Sequence, residues 1–160
     1  MGKNRRGYNM GERVAKFEKV NGKKLNFYDN KIIEFANFLI NKDFIWNERD
    51  CFSVICSVVD ITFNTDYYNQ QLQYTRSLSE SINYYKNQEV YYSMLDIGFT
   101  EKDVRTASIG DVFYEYKNGR ENTSICLGGN VLNANEKDGF YITKFKFNSV
   151  LHENIKLLGI

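Results

Sequence analysis

Cys51 follows Asp50 where a polar loop gives way to an apolar run, and this pair is the chain's candidate for covalent chemistry. Asp50 can cap the free amides of a helix start. A thiol in the first turn would then be held as thiolate by those amides and by the helix dipole. A nucleophilic Cys51 would also need a base to take its proton and return it to a leaving amine. The sequence holds one histidine, His152, near the C-terminus and followed by Glu153. It can serve Cys51 only if the tail folds back over the site. Set against this chemistry is the ordinary role of a cysteine beside an apolar run, which is that of a small core residue. Cys56 and Cys126 lie inside apolar segments and read that way. The three cysteines form no CxxC pair, so neither a disulfide framework nor a zinc site is expected.

The elements that must position Cys51 follow from periodicity. Ile32, Phe35, Ala36 and Leu39 share one helical stripe, which predicts a helix from Asn30 to about Asn41. The segment from Asp43 to Arg49 reads as a loop. A second helix is expected from the Asp50 cap to about Phe63, with Val54, Ile55, Val58, Val59 and Thr62 buried. The Tyr-, Gln- and Asn-rich middle, Asp66 to Asn87, offers Ser77 or Ser79 as a helix cap. A further helix is expected over Val90 to Ile97, stopped by Gly98, and Thr100 to Asp103 suggests one more turn. From Ile109 the period changes to two. Strands are expected at Asp111 to Tyr116, Thr123 to Leu127, Val131 to Ala134 and Gly139 to Phe145, with a hairpin at Asn118-Gly119. The tail from Asn148 reads as helix or edge strand. Helices first and an antiparallel meander second make an α+β domain.

At 160 residues the chain fits one domain, expected over 29–160 and preceded by a basic arm over 1–28. Residues 1–24 hold eight Lys or Arg against two Glu, a local charge of +6 in a chain whose total is +1. Such an arm suits solvent, a partner subunit or nucleic acid. The remainder, at −5, advertises no polyanion. There is no apolar run long enough to span a membrane, and the polar N-terminus does not read as a secretory signal. No phosphate loop, HExxH or dinucleotide fingerprint occurs, so no cofactor and no metal are expected. Tyr67-Tyr68, Tyr84-Tyr85 and Tyr91-Tyr92 lack interleaved Lys or Arg and read as half-buried helix residues or a protein interface.

Taken in order, Ile32 to Ala36, Phe44-Ile45-Trp46, Asp50-Cys51-Phe52-Ser53 and Gly110-Asp111-Val112-Phe113-Tyr114 resemble the NlpC-type family of papain-like cell-wall peptidases. Ser124 to Gly128 and Val131 to Ala134 continue the series, so the likeness spans about residues 31–145. Asp50-Cys51, Gly98-Phe99, Gly110-Asp111-Val112 and Ile125-Cys126-Leu127-Gly128-Gly129 resemble a short phage-associated branch of it. The resemblance implies a papain-like fold, a phage or prophage origin, and Cys51 at the nucleophile position. Counted back from Gly128, the family's histidine position falls on Asn122, with Thr123 beside it, and Asn133 falls where a third, orienting residue would stand. An amide has no titratable proton, so Asn122 cannot be the base.

Three functions follow as expectations. The first is a non-catalytic structural or adaptor protein of a phage particle, made in the host cytoplasm, touching other virion proteins through the arm and surface tyrosines. The second is an active cysteine hydrolase of peptidoglycan peptides, with Cys51 as nucleophile and His152 as base. The third is a phage inhibitor of a bacterial defence enzyme.

Overall fold

The computed structural model describes residue 13, residues 15–145 and residues 155–160. His152 and most of the expected C-terminal tail therefore lie outside the described residues, as do residues 1–12 of the expected arm.

Among the described residues, five helices come first and a six-stranded antiparallel sheet follows, an α+β architecture. The helices are α1 (Tyr28–Leu39), α2 (Cys51–Phe63), α3 (Tyr67–Leu72), α4 (Leu78–Lys86) and α5 (Glu89–Ile97). The strands are β1 (Thr100–Lys102), β2 (Val112–Lys117), β3 (Arg120–Cys126), β4 (Asn130–Asn135), β5 (Gly139–Lys144) and β6 (Ile155–Gly159). Across the sheet they run β1-β6-β2-β3-β4-β5. None of the described helices is long and apolar enough to cross a membrane.

The helix starts obey local chemistry. Asp50 caps α2 by accepting from Ser53 N, and the Ser53 side chain accepts from the Asp50 amide, closing a capping box. Ser77 and Glu80 close a second box at α4. Two expectations need correction. Thr100 to Lys102 forms a short strand rather than helix, with a 3₁₀ turn after it at Val104–Thr106. The chain end forms β6, which is no edge strand: it pairs with both β1 and β2. Its alternation, with Leu157 and Leu158 buried on opposite faces, fits a strand covered on both sides.

The glycines of the resemblance motif sit at turns that need them. Gly110 (φ +96) precedes β2, and a Cβ there would stand 3.1 Å from Ile32 Cδ1. Gly128 (φ +88) ends β3.

The main core lies between the helices and one face of the sheet, with Phe52 at its centre. Its ring meets Phe17 edge-on at 5.8 Å and stacks on Tyr84 at 5.4 Å. A smaller cluster of Phe113, Cys126, Val131 and Leu157 covers part of the other face.

From residue 13 onward the segment expected as a solvated arm packs on the domain. Ala15 and Phe17 are buried in the core, Val20 N donates to Ile97 O, and Leu25 N donates to Thr62 O. Arg13 reaches between Glu89 and Asp96 at 3.2 and 3.1 Å. Lys16, Lys19, Lys23 and Lys24 stay exposed, so the strap keeps its charge outside while its apolar residues anchor it.

Candidate functional site

Cys51 opens α2 and points at the sheet, where β3 and β4 part. Those two strands pair at only two positions, Ile125↔Leu132 and Cys126↔Val131. Beyond them Ala134 borders the same two cavities that Cys51 borders, and Thr123 borders one of them. Thr123 stands beside the sulfur, and its main chain and hydroxyl favour the charged form. The cysteine-bearing helix and the meander thus meet, with threonine as the residue that meets the thiol.

Its electrostatics run against the expected thiolate. Desolvation, followed by the neighbouring Asp50 carboxylate, pushes the Cys51 thiol up to about 11. The Thr123 hydrogen bonds and the more distant Arg120 pull the other way and are outweighed. The helix start does not compensate, because its amides are already used. Phe52 N donates to the Tyr85 hydroxyl at 3.0 Å, and Ser53 N donates to Asp50 Oδ1 at 2.9 Å. The other Asp50 oxygen accepts from Asn47 N at 2.7 Å. A capping carboxylate next to the sulfur replaces the positive end of the helix with a negative charge.

The residue at the place expected for the base is corrected by one. Along β3, Glu121, Thr123 and Ile125 face the helices, whereas Asn122, Ser124 and Cys126 face the opposite side. Asn122 therefore follows the far-face set of β3, though it borders the wider of the two cavities that Cys51 borders. Counting from Gly128 crossed the strand's end; counting in twos from the core residue Ile125 reaches Thr123. Asn133, expected as a would-be orienter, borders the narrower of the two cavities that Cys51 borders. Leu132 and Ala134 face the helices, and Asn133 lies on the far face, donating Nδ2 to Thr143 Oγ1 at 2.9 Å. His152 lies outside the described residues. Cys56 is fully buried and Cys126 belongs to the smaller cluster, in line with their reading as core residues.

Outside Cys51, the mouth of the cleft is lined by Phe44, Tyr85, Lys117, Arg120, Asn135 and Glu136. Arg120 spans from β3 to Glu136 at 3.2 Å and lies over the Trp46 ring at 5.2 Å. Among the described residues no cluster of His, Cys, Asp and Glu is arranged to hold a metal.

One buried acid had no signal in the sequence. Glu121 reaches the first turn of α5, accepting from Val90 N at 3.1 Å, Tyr91 N at 2.7 Å and the Tyr114 hydroxyl at 2.7 Å. It ties the sheet to that helix. Desolvation pushes its carboxyl up to about 8, with the three donors opposing. The unfolded chain releases this proton near 4.5 and the folded one near 8, so the folded state holds more protons between those values. The Glu121 contribution to stability is therefore full below pH 4.5 and drains as pH rises to 8. Urea midpoints are expected to fall across that window, and Glu121→Gln is expected to flatten the fall.

No family model matches the chain, and no curated protein matches it.

Proposed function

We propose that this chain is a non-catalytic structural or adaptor protein of a phage particle, built on a disabled NlpC-type papain-like fold. The observation that carries the first half is the hydroxyl of Thr123 against the Cys51 thiol. A hydroxyl cannot take a thiol proton at neutral pH or hand it to a leaving amine. Burial and the adjacent Asp50 keep the sulfur protonated as well, so among the described residues neither a ready nucleophile nor a base stands at the cleft. The second half rests on the resemblance, whose Asp50-Cys51, Gly98-Phe99, Gly110-Asp111-Val112 and Ile125 to Gly129 pieces fall at element boundaries. Exposed lysines on the strap and the exposed side chains Phe27, Phe38 and Leu78 supply contacts for neighbouring subunits.

Mass spectrometry of purified particles tests this reading. The protein is expected there in stoichiometric ratio to other particle proteins, and to stay through washing at high salt. Recovery solely from the cytoplasm of infected cells would contradict it and favour the inhibitor.

A further inference from the structure

The sheet face turned away from the helices carries a cavity of about 200 Å³ that Cys51 itself does not border. It lies across five strands, β2 to β6. Phe113 and Ser124 are register partners, as are Glu115 and Asn122 on the same two strands, and Asn133 and Tyr141 on β4 and β5. Strand alternation puts all six side chains on this one face. Asn122 and Asn133, expected at the thiol from the sequence, are part of this lining, and each also borders a cavity that Cys51 borders.

The lining has a particular chemistry. The side chains of Asn122, Ser124 and Glu115 make no hydrogen bond to any other described residue, so their donors and acceptors are open to a ligand. Asn133 spends its Nδ2 on Thr143 and on Val131 O, which fixes the amide and leaves Oδ1 as an acceptor. Phe113 packs on Phe145 at 5.3 Å and forms an apolar wall. Tyr141, 39% exposed, stands on β5 with an aromatic face to offer. Among the described residues Glu115 is the one charged side chain in the lining. A polyanion would meet this carboxylate with no described cation beside it. A wholly apolar ligand would bury the amides and the serine hydroxyl without partners.

A pyranose ring meets both demands, with an apolar C–H face for an aromatic ring and equatorial hydroxyls for planar amides and a carboxylate. We propose that this outer face binds a neutral oligosaccharide. One sugar ring lies against Tyr141, and its hydroxyls bond to Asn122, Ser124, Asn133 and Glu115. The site shares Asn122, Ser124 and Asn133 with the cavities that Cys51 borders, but it does not use the thiol and does not depend on the loss of peptidase chemistry.

Saturation-transfer NMR on the full chain with maltotriose, cellotriose and chitotriose as probes tests it. At least one probe is expected to bind in the millimolar range, with transfer strongest to ring C–H protons. Tyr141→Ala and Asn122→Ala, both at exposed positions, are each expected to weaken that binding about tenfold, and Cys51→Ser to leave it unchanged. Circular dichroism of each variant checks that the fold is kept. Absence of transfer from all three probes at millimolar concentration overturns the proposal. So does unaltered binding by the folded Tyr141→Ala protein.

Discussion

Replacing Thr123 with histidine is expected to raise the rate of Cys51 alkylation by iodoacetamide at pH 7 by about tenfold or more. In the unmodified protein the same reaction should run about a hundredfold slower than with an ordinary thiol, because the thiolate fraction falls tenfold for each unit of pKa. The thiol stands at about 11 against an ordinary 9.0. Thr123 is the position where an imidazole would reach the sulfur, since its hydroxyl and main chain already do. An imidazolium there would favour the thiolate through charge, against the burial and the Asp50 carboxylate that now disfavour it. Asn122→His is the matched control. From the far face of β3 its imidazole is less well placed for Cys51 than one at Thr123, so the rate should change much less. Peptide mapping separates Cys51 from Cys56 and Cys126, which are buried. If Asn122→His activated the thiol and Thr123→His did not, β3 would have to present Asn122 to the helices in place of Thr123.

The largest expected loss of stability from a single surface-reaching residue is at Arg13. Its guanidinium is 9% exposed and sits 3.2 Å from a Glu89 oxygen, on a side chain that is 1% exposed. It also lies 3.1 Å from Asp96 and 5.5 Å from the centre of the Tyr92 ring. Removing one member of a buried pair leaves the other charge desolvated, which costs about 3 kcal/mol or more. Arg13→Ala is therefore expected to lower the urea unfolding free energy by about that amount. Combining it with Glu89→Gln should recover part of the loss, since the second change removes a buried charge that Arg13 no longer offsets. A loss within about 0.5 kcal/mol, the range of ordinary surface changes, would mean that the strap is not anchored there. Phe17, buried on the same strap and edge-on to Phe52, gives an independent check through Phe17→Ala.

Much of this architecture was legible from local chemistry. Asp50 announced the start of α2, Gly98 the end of α5, and Asn118-Gly119 the β2–β3 hairpin, where both residues take positive φ. These signals are strong because each is set within four or five residues. The misses have the opposite character. β6 pairs with β1 and β2 across more than 40 positions of chain between the register partners Val112 and Leu158, and Thr100 to Lys102 is a strand only because β6 lies beside it. A three-residue segment has no period of its own to read. The basic arm looked free because its charges outnumber its apolar residues, yet Ala15 and Phe17 bind it to the core.

The site was half legible for a related reason. The place of Cys51 followed from its cap, but the residue facing it depends on which way a strand's side chains point. Strand parity is all-or-none, so an error of one position moved Asn122 and Asn133 from one face of the sheet to the other. The buried Ile125 and Leu132 held the correct answer, as they share a face with Thr123 and Ala134. The raised thiol pKa could not be read from sequence. The same aspartate that caps the helix and frees its dipole in principle lies next to the sulfur and opposes the charge.

A direct titration of the Cys51 Cβ carbon by NMR, from neutral to alkaline pH on the folded chain, bears most closely on whether a working nucleophile exists. The shift should stay flat through neutrality and move only towards a midpoint of about 11. A midpoint below about 8 would place a usable thiolate in the cleft and return the chain to the hydrolases.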